Sequence, residues 1–142
     1  MDKSVLVAMS GGVDSSVTAL LLQKQGFVCI GATMRLYHNE DIGVCQFHTC
    51  CSARDIDDAA EVAFKLHIPF EVLDYTAAFQ KQVIDKFVQV YEAGGTPNPC
   101  IECNRYLKFD RLLAAAHSKG LNYIATGHYA RLEYDRERQL YM

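Results

Sequence analysis

Two clusters in this 142-residue chain combine residue types and spacings that could do chemistry. The first is Ser10-Gly11-Gly12-Val13-Asp14-Ser15-Ser16, directly after the short apolar run Val5–Ala8. Two glycines let the backbone turn tightly and offer no Cβ to fend off a ligand. The N–H groups of the turn and of a following helix then point into one concavity. The positive end of the helix dipole makes that concavity an anion site. Ser10, Ser15 and Ser16 add hydroxyl donors. Asp14 would repel a bare phosphate, but suits a ligand, direct or through water, for the Mg2+ that accompanies ATP. A plain Gly-Gly turn with Ser10 or Asp14 as helix cap stands beside this reading. The loop lacks the Gly-Lys pair of a Walker A motif and the spacing of the dinucleotide fingerprint. Without that lysine, chemistry at the α-phosphorus fits better than transfer of the γ-phosphoryl group.

The second cluster is Cys100-Ile101-Glu102-Cys103, behind the stiff turn segment Gly94-Gly95-Thr96-Pro97-Asn98-Pro99. Cys103 is expected just before a helix starting near Asn104, where the dipole and Arg105 would favour a thiolate. Such a cysteine can act as a nucleophile or a disulfide partner. A pair of structural thiols is the plainer alternative. A zinc site built from Cys100, Cys103 and two of Cys45, Cys50 and Cys51 is another. Cys29, in an apolar stretch, reads as an inert core residue. Arg105, Lys108, Arg111 and Lys119 gather positive charge that would suit a phosphate backbone or simply a solvated helix face. His128 reads as a hydrogen-bonding support more readily than as a catalyst, while His48, His67 and His117 have no constellation around them.

The elements that must position these groups follow from periodicity. Val5–Ala8 is too short and β-branched for a helix and reads as a buried strand. Val17, Leu20 and Leu21 belong to a helix from Val13 that Gly26 stops. Phe27–Thr33 is a second strand. The stretch from Arg35 to Cys51 is polar and aperiodic, hence a long loop. Ser52 and Asp55 form a capping box for a helix whose apolar face is Ile56, Ala59, Ala60, Ala63 and Leu66. Phe70–Leu73 is a strand, Thr76–Glu92 an amphipathic helix, and Leu107 to Ala116 marks another helix ending before Gly120. Tyr123–Ala125 is the last strand, followed by the turn Thr126-Gly127-His128. Short buried strands separated by helices imply an α/β fold, a mostly parallel sheet covered on both faces. Residues 1–132 are expected to be one domain, and 133–142 the opening of a truncated continuation.

Composition narrows the class. Half the residues are apolar and 22% are charged, so the chain folds. Fourteen basic against seventeen acidic residues give a net charge of −3, which argues against non-specific nucleic-acid binding over the whole surface. No apolar run reaches membrane-spanning length and the start is no signal peptide, so no membrane partner and a cytoplasmic location are expected. Six cysteines without a secretion signal point to metal binding or thiol chemistry rather than a disulfide scaffold.

The glycine loop resembles the pyrophosphate loop (PP-loop) of the ATP pyrophosphatases, enzymes of the adenine nucleotide α-hydrolase-like fold. Their fold is a three-layer sandwich around a mostly parallel sheet. Such enzymes cleave ATP between the α- and β-phosphates, adenylate a carbonyl oxygen and displace AMP with a nucleophile. Three further segments, Gly95–Asn104, Leu107-Lys108-Phe109 and Ile124–Arg131, resemble the tRNA-specific 2-thiouridylases, which place sulfur at C2 of the wobble uridine. The resemblance covers essentially the whole chain, but only the N-terminal catalytic domain of those enzymes. It implies ATP and Mg2+ as cofactors, and tRNA and a persulfide-donating cysteine desulfurase or sulfur relay protein as partners. By the same resemblance, Ala8, Met9, Ser10, Gly11, Gly12, Val13, Asp14, Ser15, Met34 and Gly127 bind the nucleotide. Asn98, Pro99 and Cys100 contact the target base. Cys103 takes the place of the catalytic cysteine, whose persulfide-carrying partner lies much later in the chain. Many members carry aspartate at the position of Cys100, and a second thiol there raises an iron–sulfur cluster or zinc at Cys100 and Cys103 as an option. Another ATP pyrophosphatase with a different base or carbonyl substrate, or a non-catalytic metal- or nucleotide-binding module, are the competing readings.

Overall fold

Val5, Leu6 and Val7 are each at most 1% exposed, which a strand achieves only inside a sheet covered on both faces. The computed structural model describes residues 3–37 and 53–141 and places this strand at the centre of a four-stranded sheet. The strands are β1 (Ser4–Ala8), β2 (Val28–Arg35), β3 (Phe70–Asp74) and β4 (Tyr123–Ala125), in the order β3-β2-β1-β4 and parallel throughout. Val7 pairs with Gly31 on one side and Ala125 on the other. The chain leaves β1 toward β2 and returns on its far side as β4. That reversal of strand order opens a crevice at the C-terminal ends of β1 and β4, the usual ligand position in open α/β sheets.

Alternation along β1 builds the layers. Val5 and Val7 join Cys29, Ala19 of α1 (Val13–Lys24) and Ala59 and Ala63 of α2 (Ala53–Lys65). Leu6 faces the other way, with Ala32 and with Leu112 and Ala116 of α6 (Asp110–Ser118). The three-layer α/β architecture expected from the sequence is therefore the one observed. Small alanines at the α2 contact let that helix lie close to the sheet. Gly26, at φ +82°, ends α1 as expected, and the Phe27 amide donates to the Leu22 carbonyl at 3.0 Å.

The helix over 76–92 is continuous, as its periodicity predicts, but its middle is π-helical. It runs as α3 (Thr76–Phe79), a π segment (Gln80–Ile84) and α4 (Asp85–Glu92). The next helix differs from expectation. It begins at Pro99, in α5 (Pro99–Glu102), continues through a π segment (Cys103–Phe109) and ends in α6. Asn98 is the N-cap, its side chain accepting from the Ile101 amide at 3.4 Å, and Pro99 occupies the first turn. Cys103 thus lies a full turn inside the helix rather than before it, and the argument from the dipole does not apply to it.

Residues 134–141 form a separate two-stranded hairpin, β5 (Tyr134–Asp135) against β6 (Leu140–Tyr141). Asp135 Oδ1 accepts the Glu137 and Arg138 amides in its turn, at 2.9 and 3.1 Å. Of the stretch 35–51 expected to be a loop, Arg35 instead ends β2 and Leu36 is buried, while residues 38–51, with Cys45, Cys50 and Cys51, and Ser52 of the capping box lie outside the described residues.

Candidate nucleotide site

The loop between β1 and α1 is held from both ends. Met9 extends the strand pairing, its amide donating to Ala32 at 2.8 Å, and the buried Thr33 hydroxyl donates to the Met9 carbonyl. The Ser15 hydroxyl donates to the Gly12 carbonyl at 3.1 Å and accepts the Ser10 amide at 3.2 Å. Ser16 also donates to the Gly12 carbonyl, at 2.8 Å. The hydroxyls of Ser15 and Ser16 therefore shape the loop instead of standing ready as extra ligand donors.

The two glycines divide the work expected of both. Gly11 sits at φ +74°, and a Cβ there would come within 2.7 Å of Asp58 Cβ and 3.0 Å of the Asp55 carbonyl oxygen. It allows the loop to press against α2, and unlike its neighbour it is not on the cavity wall. Gly12 lines the cavity and is the N-cap of α1, with no side chain to cap the helix. Beyond it come the first-turn amides of Val13, Asp14 and Ser15. They satisfy the physical requirement for an anion cradle: N–H groups at a helix start, with no side-chain cap in their way.

These residues open on a cavity of about 420 Å³ at the C-terminal ends of β1, β2 and β4. Ala8, Met9, Ser10, Gly12, Val13, Asp14, Ser15, Met34 and Gly127, all expected from the sequence, line it together. Gly127 makes the closest approach, since a Cβ on it would lie 3.0 Å from the Ser15 nitrogen and 3.2 Å from two Asp14 atoms. Four other residues share the wall: Asp55, Lys108, Thr126 and His128. Lys108 comes from the π segment and brings to the cavity a cation that the loop itself lacks. His128 contacts two neighbouring side chains. Its Nδ1 lies 2.9 Å from the Thr126 hydroxyl, and its ring centroid is 5.4 Å from that of Phe109.

Asp14 has a partner that the sequence did not suggest. The Tyr129 hydroxyl donates to Asp14 Oδ1 at 2.8 Å, across 115 positions of chain. That hydrogen bond, and then the negative charge itself, hold the Tyr129 phenol above its ordinary pKa. The tyrosine is 88% exposed.

The cysteine-bearing helix stands beside this cavity. Cys103, 8% exposed, belongs to one buried cluster with Met34, Leu36, Val83 and Leu107, and Met34 also lines this cavity. Cys100 is exposed. Asn98 and Pro99 line a second cavity, of about 440 Å³. Lys86 is on its wall, 3.0 Å from Glu102 Oε2 and 4.1 Å from the Tyr106 ring centroid. The expected basic face is divided: Lys108 lines the first cavity, Lys119 is paired with Glu71 at 2.8 Å, and Arg105 packs over Tyr106. Among the described residues no three His, Cys, Asp or Glu side chains form a metal-ligand group. Cys100 and Cys103 by themselves fall short of the four protein ligands that a structural zinc ion takes. Cys29 is buried in the core, and burial pushes its thiol pKa up, as suits an inert residue.

Residues 3–142 match the family described as the tRNA methyl transferase HUP domain. The chain belongs to that family. It is 54% identical over 140 residues to a protein named tRNA-specific 2-thiouridylase MnmA from Clostridium beijerinckii, covering 99% of this chain and 39% of that relative. A protein of the same name from Acidithiobacillus ferrooxidans is 53% identical over 131 residues, 92% of this chain and 35% of the relative. The chain thus spans less than two fifths of the length of these relatives. Among solved structures, a predicted tRNA methyltransferase subunit from Methanocaldococcus jannaschii superposes with a TM-score of 0.55 at 20% identity. It covers 96% of this chain and 57% of the other. An NMN synthetase from Francisella tularensis gives 0.53 at 20% identity, over 86% and 44%. These two likenesses establish the fold and nothing finer. Among the described residues no helix is long and apolar enough to cross a membrane.

Proposed function

We propose that this chain carries the nucleotide chemistry of an ATP-dependent enzyme that replaces O2 of the wobble uridine of tRNA with sulfur. The observation that carries the reading is the convergence of the Ala8–Ser15 loop, Met34 and Gly127 on one cavity, in a chain 54% identical to a protein named for this activity. The family description names methyl transfer and the relatives name thiolation. The side chains favour thiolation, because Cys103 lies in the cluster next to the cavity.

On this reading the first-turn amides of α1 bind the phosphates that become pyrophosphate, and Lys108 neutralises part of their charge. O2 of the uridine attacks the α-phosphorus, and the bond to the β-phosphate oxygen breaks. Magnesium bound with ATP would supply further charge neutralisation, with Asp14 as its ligand from this chain. A terminal persulfide sulfur then attacks C2, and the C2–O2 bond breaks to release AMP. The Cys103 thiolate attacks the sulfur of the cysteine that carried the persulfide. Its S–S bond breaks, the transferred sulfur stays on C2, and a new disulfide forms. Donors fixed before the reaction stabilise the charge that develops on the phosphate oxygens without reorganising. Asn98, Pro99 and Cys100 are assigned to the target base, and the persulfide donor is a cysteine desulfurase or a sulfur relay protein.

Nucleoside mass spectrometry of tRNA from a strain lacking the gene tests the reading. Loss of 2-thiouridine is expected. Unchanged 2-thiouridine with loss of a methylated nucleoside would overturn thiolation in favour of methyl transfer.

A further inference from the structure

We infer that Tyr129 is a positioning residue for Asp14, fixing the carboxylate in the orientation that receives the cation accompanying ATP. The inference rests on the nucleotide reading of the cavity and names a residue that reading does not use. Three observations support it. The Tyr129 hydroxyl donates to Asp14 Oδ1 at 2.8 Å, and among the described residues this is the one side-chain hydrogen bond shown for that carboxylate. The contact is no chance meeting of surface groups, because the turn that delivers Tyr129 lies on the loop itself. Gly127, two residues earlier, approaches the Ser15 nitrogen and Asp14 so closely that a Cβ would intrude on both. Finally, Tyr129 is 88% exposed, so packing does not account for where it stands.

The chemistry follows from what one donor does to a carboxylate. A free aspartate at the start of a helix samples several rotamers, and only some present an oxygen to a cation beside the phosphates. An O–H bound to Oδ1 restricts that rotation and leaves Oδ2 available. It adds no charge, so the carboxylate keeps its attraction for a divalent ion. Outer-shell hydrogen bonds of this kind typically change metal affinity by about 10- to 100-fold. An exposed one belongs at the low end of that range.

The test uses the intact protein and titrates Mg2+ at saturating ATP, with calorimetry as the readout, independent of turnover. Tyr129→Phe keeps the ring and removes only the donor. The expected result is about a tenfold rise in the Mg2+ concentration needed for half-saturation. Asp14→Asn and the double variant complete a cycle in which the Tyr129→Phe effect disappears once Asp14 is neutralised. An equal loss in both backgrounds would mean that Tyr129 touches the nucleotide directly, and no change in either would mean the bond is idle. Each result overturns the inference. Circular dichroism and melting temperature confirm that the variants fold. Failure of the wild-type protein to bind ATP would instead refute the nucleotide reading beneath it.

Discussion

Between Met9 and Ser15 the cavity wall includes the start of α1, whose main-chain amides have no side-chain cap, and one carboxylate. Between Asn98 and Lys108 the notable groups are side chains: Lys108 on the first cavity, Asn98 capping a helix beside the second, and two thiols on neither wall, Cys100 exposed and Cys103 buried. The first region is held by hydrogen bonds within itself and to β2. The second is held by packing, with Leu107 fully buried and Cys103 nearly so. Backbone donors are fixed by the fold and suit a task that recurs unchanged, binding phosphate. Side chains on a helix can be exchanged one by one, and they suit the step that distinguishes one substrate from another. The two regions meet at Met34, which lines the cavity and packs in the Cys103 cluster.

If this division is real, the regions fail differently. The largest effect is expected from Cys103→Ser in the intact protein. Thiolation of tRNA should fall by at least about 10³-fold, because a hydroxyl cannot replace the thiolate in disulfide exchange. ATP-dependent release of pyrophosphate in the presence of tRNA should persist. Loss of both partial reactions would show that Cys103 serves the nucleotide side and would dissolve the contrast. Asp14→Asn comes next. It should lower pyrophosphate release and thiolation together, by about 10²- to 10³-fold, as expected when one preset electrostatic group is removed. An unchanged rate at saturating Mg2+ would take Asp14 out of the site.

The contrast also explains what could be read from the sequence. Gly11 and Gly12 announce a turn whatever surrounds them, and the run Val5–Ala8 fits only a buried strand. The loop and the parallel sheet were accessible for that reason, whereas the set of nine cavity-lining residues, Met34 and Gly127 among them, came from the family resemblance. Nothing in the sequence pattern puts Lys108 at the first cavity, although it lines the same wall as Asp14. Only the three-dimensional path of α6 and β4 beside β1 brings them together, and no local pattern records that path. Asp55 reads as part of a helix cap for a similar reason, since sequence neighbours suggest a local partner first. The start of α5 is a different kind of miss. Asn98-Pro99 is a sound N-cap and first-turn signal, but the apolar period that marks the helix becomes visible only from Leu107. The π segments carry no composition of their own. A one-residue shift in hydrogen bonding is decided by packing, and at Cys103–Phe109 it accompanies the delivery of Lys108.

A third prediction separates shape from binding within the loop. Gly11→Ala forces an alanine to φ +74° and drives its Cβ into α2. The left-handed conformation and the clash together should cost about 2–4 kcal/mol of stability. Chemical denaturation of the variant measures this. Since Gly11 is not on the cavity wall, the fraction that remains folded should bind ATP within about threefold of wild type. A large loss of affinity without loss of stability would return Gly11 to the ligand side.

The smallest effect concerns the thiol packed between the sheet and the helices α1 and α2. Cys29 is 3% exposed and packs with Val5, Val7 and Ala19, and burial raises its pKa above the ordinary thiol value of about 9. In the unfolded chain this thiol ionises near that pH, while in the folded chain it keeps its proton. The folded state therefore binds more protons in the interval between the two values, and stability falls as pH rises through it. The contribution is fully present below about pH 9 and is lost above it. Tyr75, whose pKa is also raised, chiefly by burial, adds a loss of the same sign at still higher pH. Cys29→Ala should lower stability at neutral pH by about 1 kcal/mol through the missing sulfur. It should also make the decline above pH 9 shallower, by at most about 1.4 kcal/mol per pH unit, the limit for one proton. Urea unfolding under reducing conditions at pH 8, 9 and 10 reads both terms. Parallel alkaline declines in wild type and variant would mean that Cys29 ionises as readily folded as unfolded. A thiol of the sheet core would then not be inert, and the separation between a nucleotide side without thiol chemistry and a cysteine side that performs it would lose its physical basis.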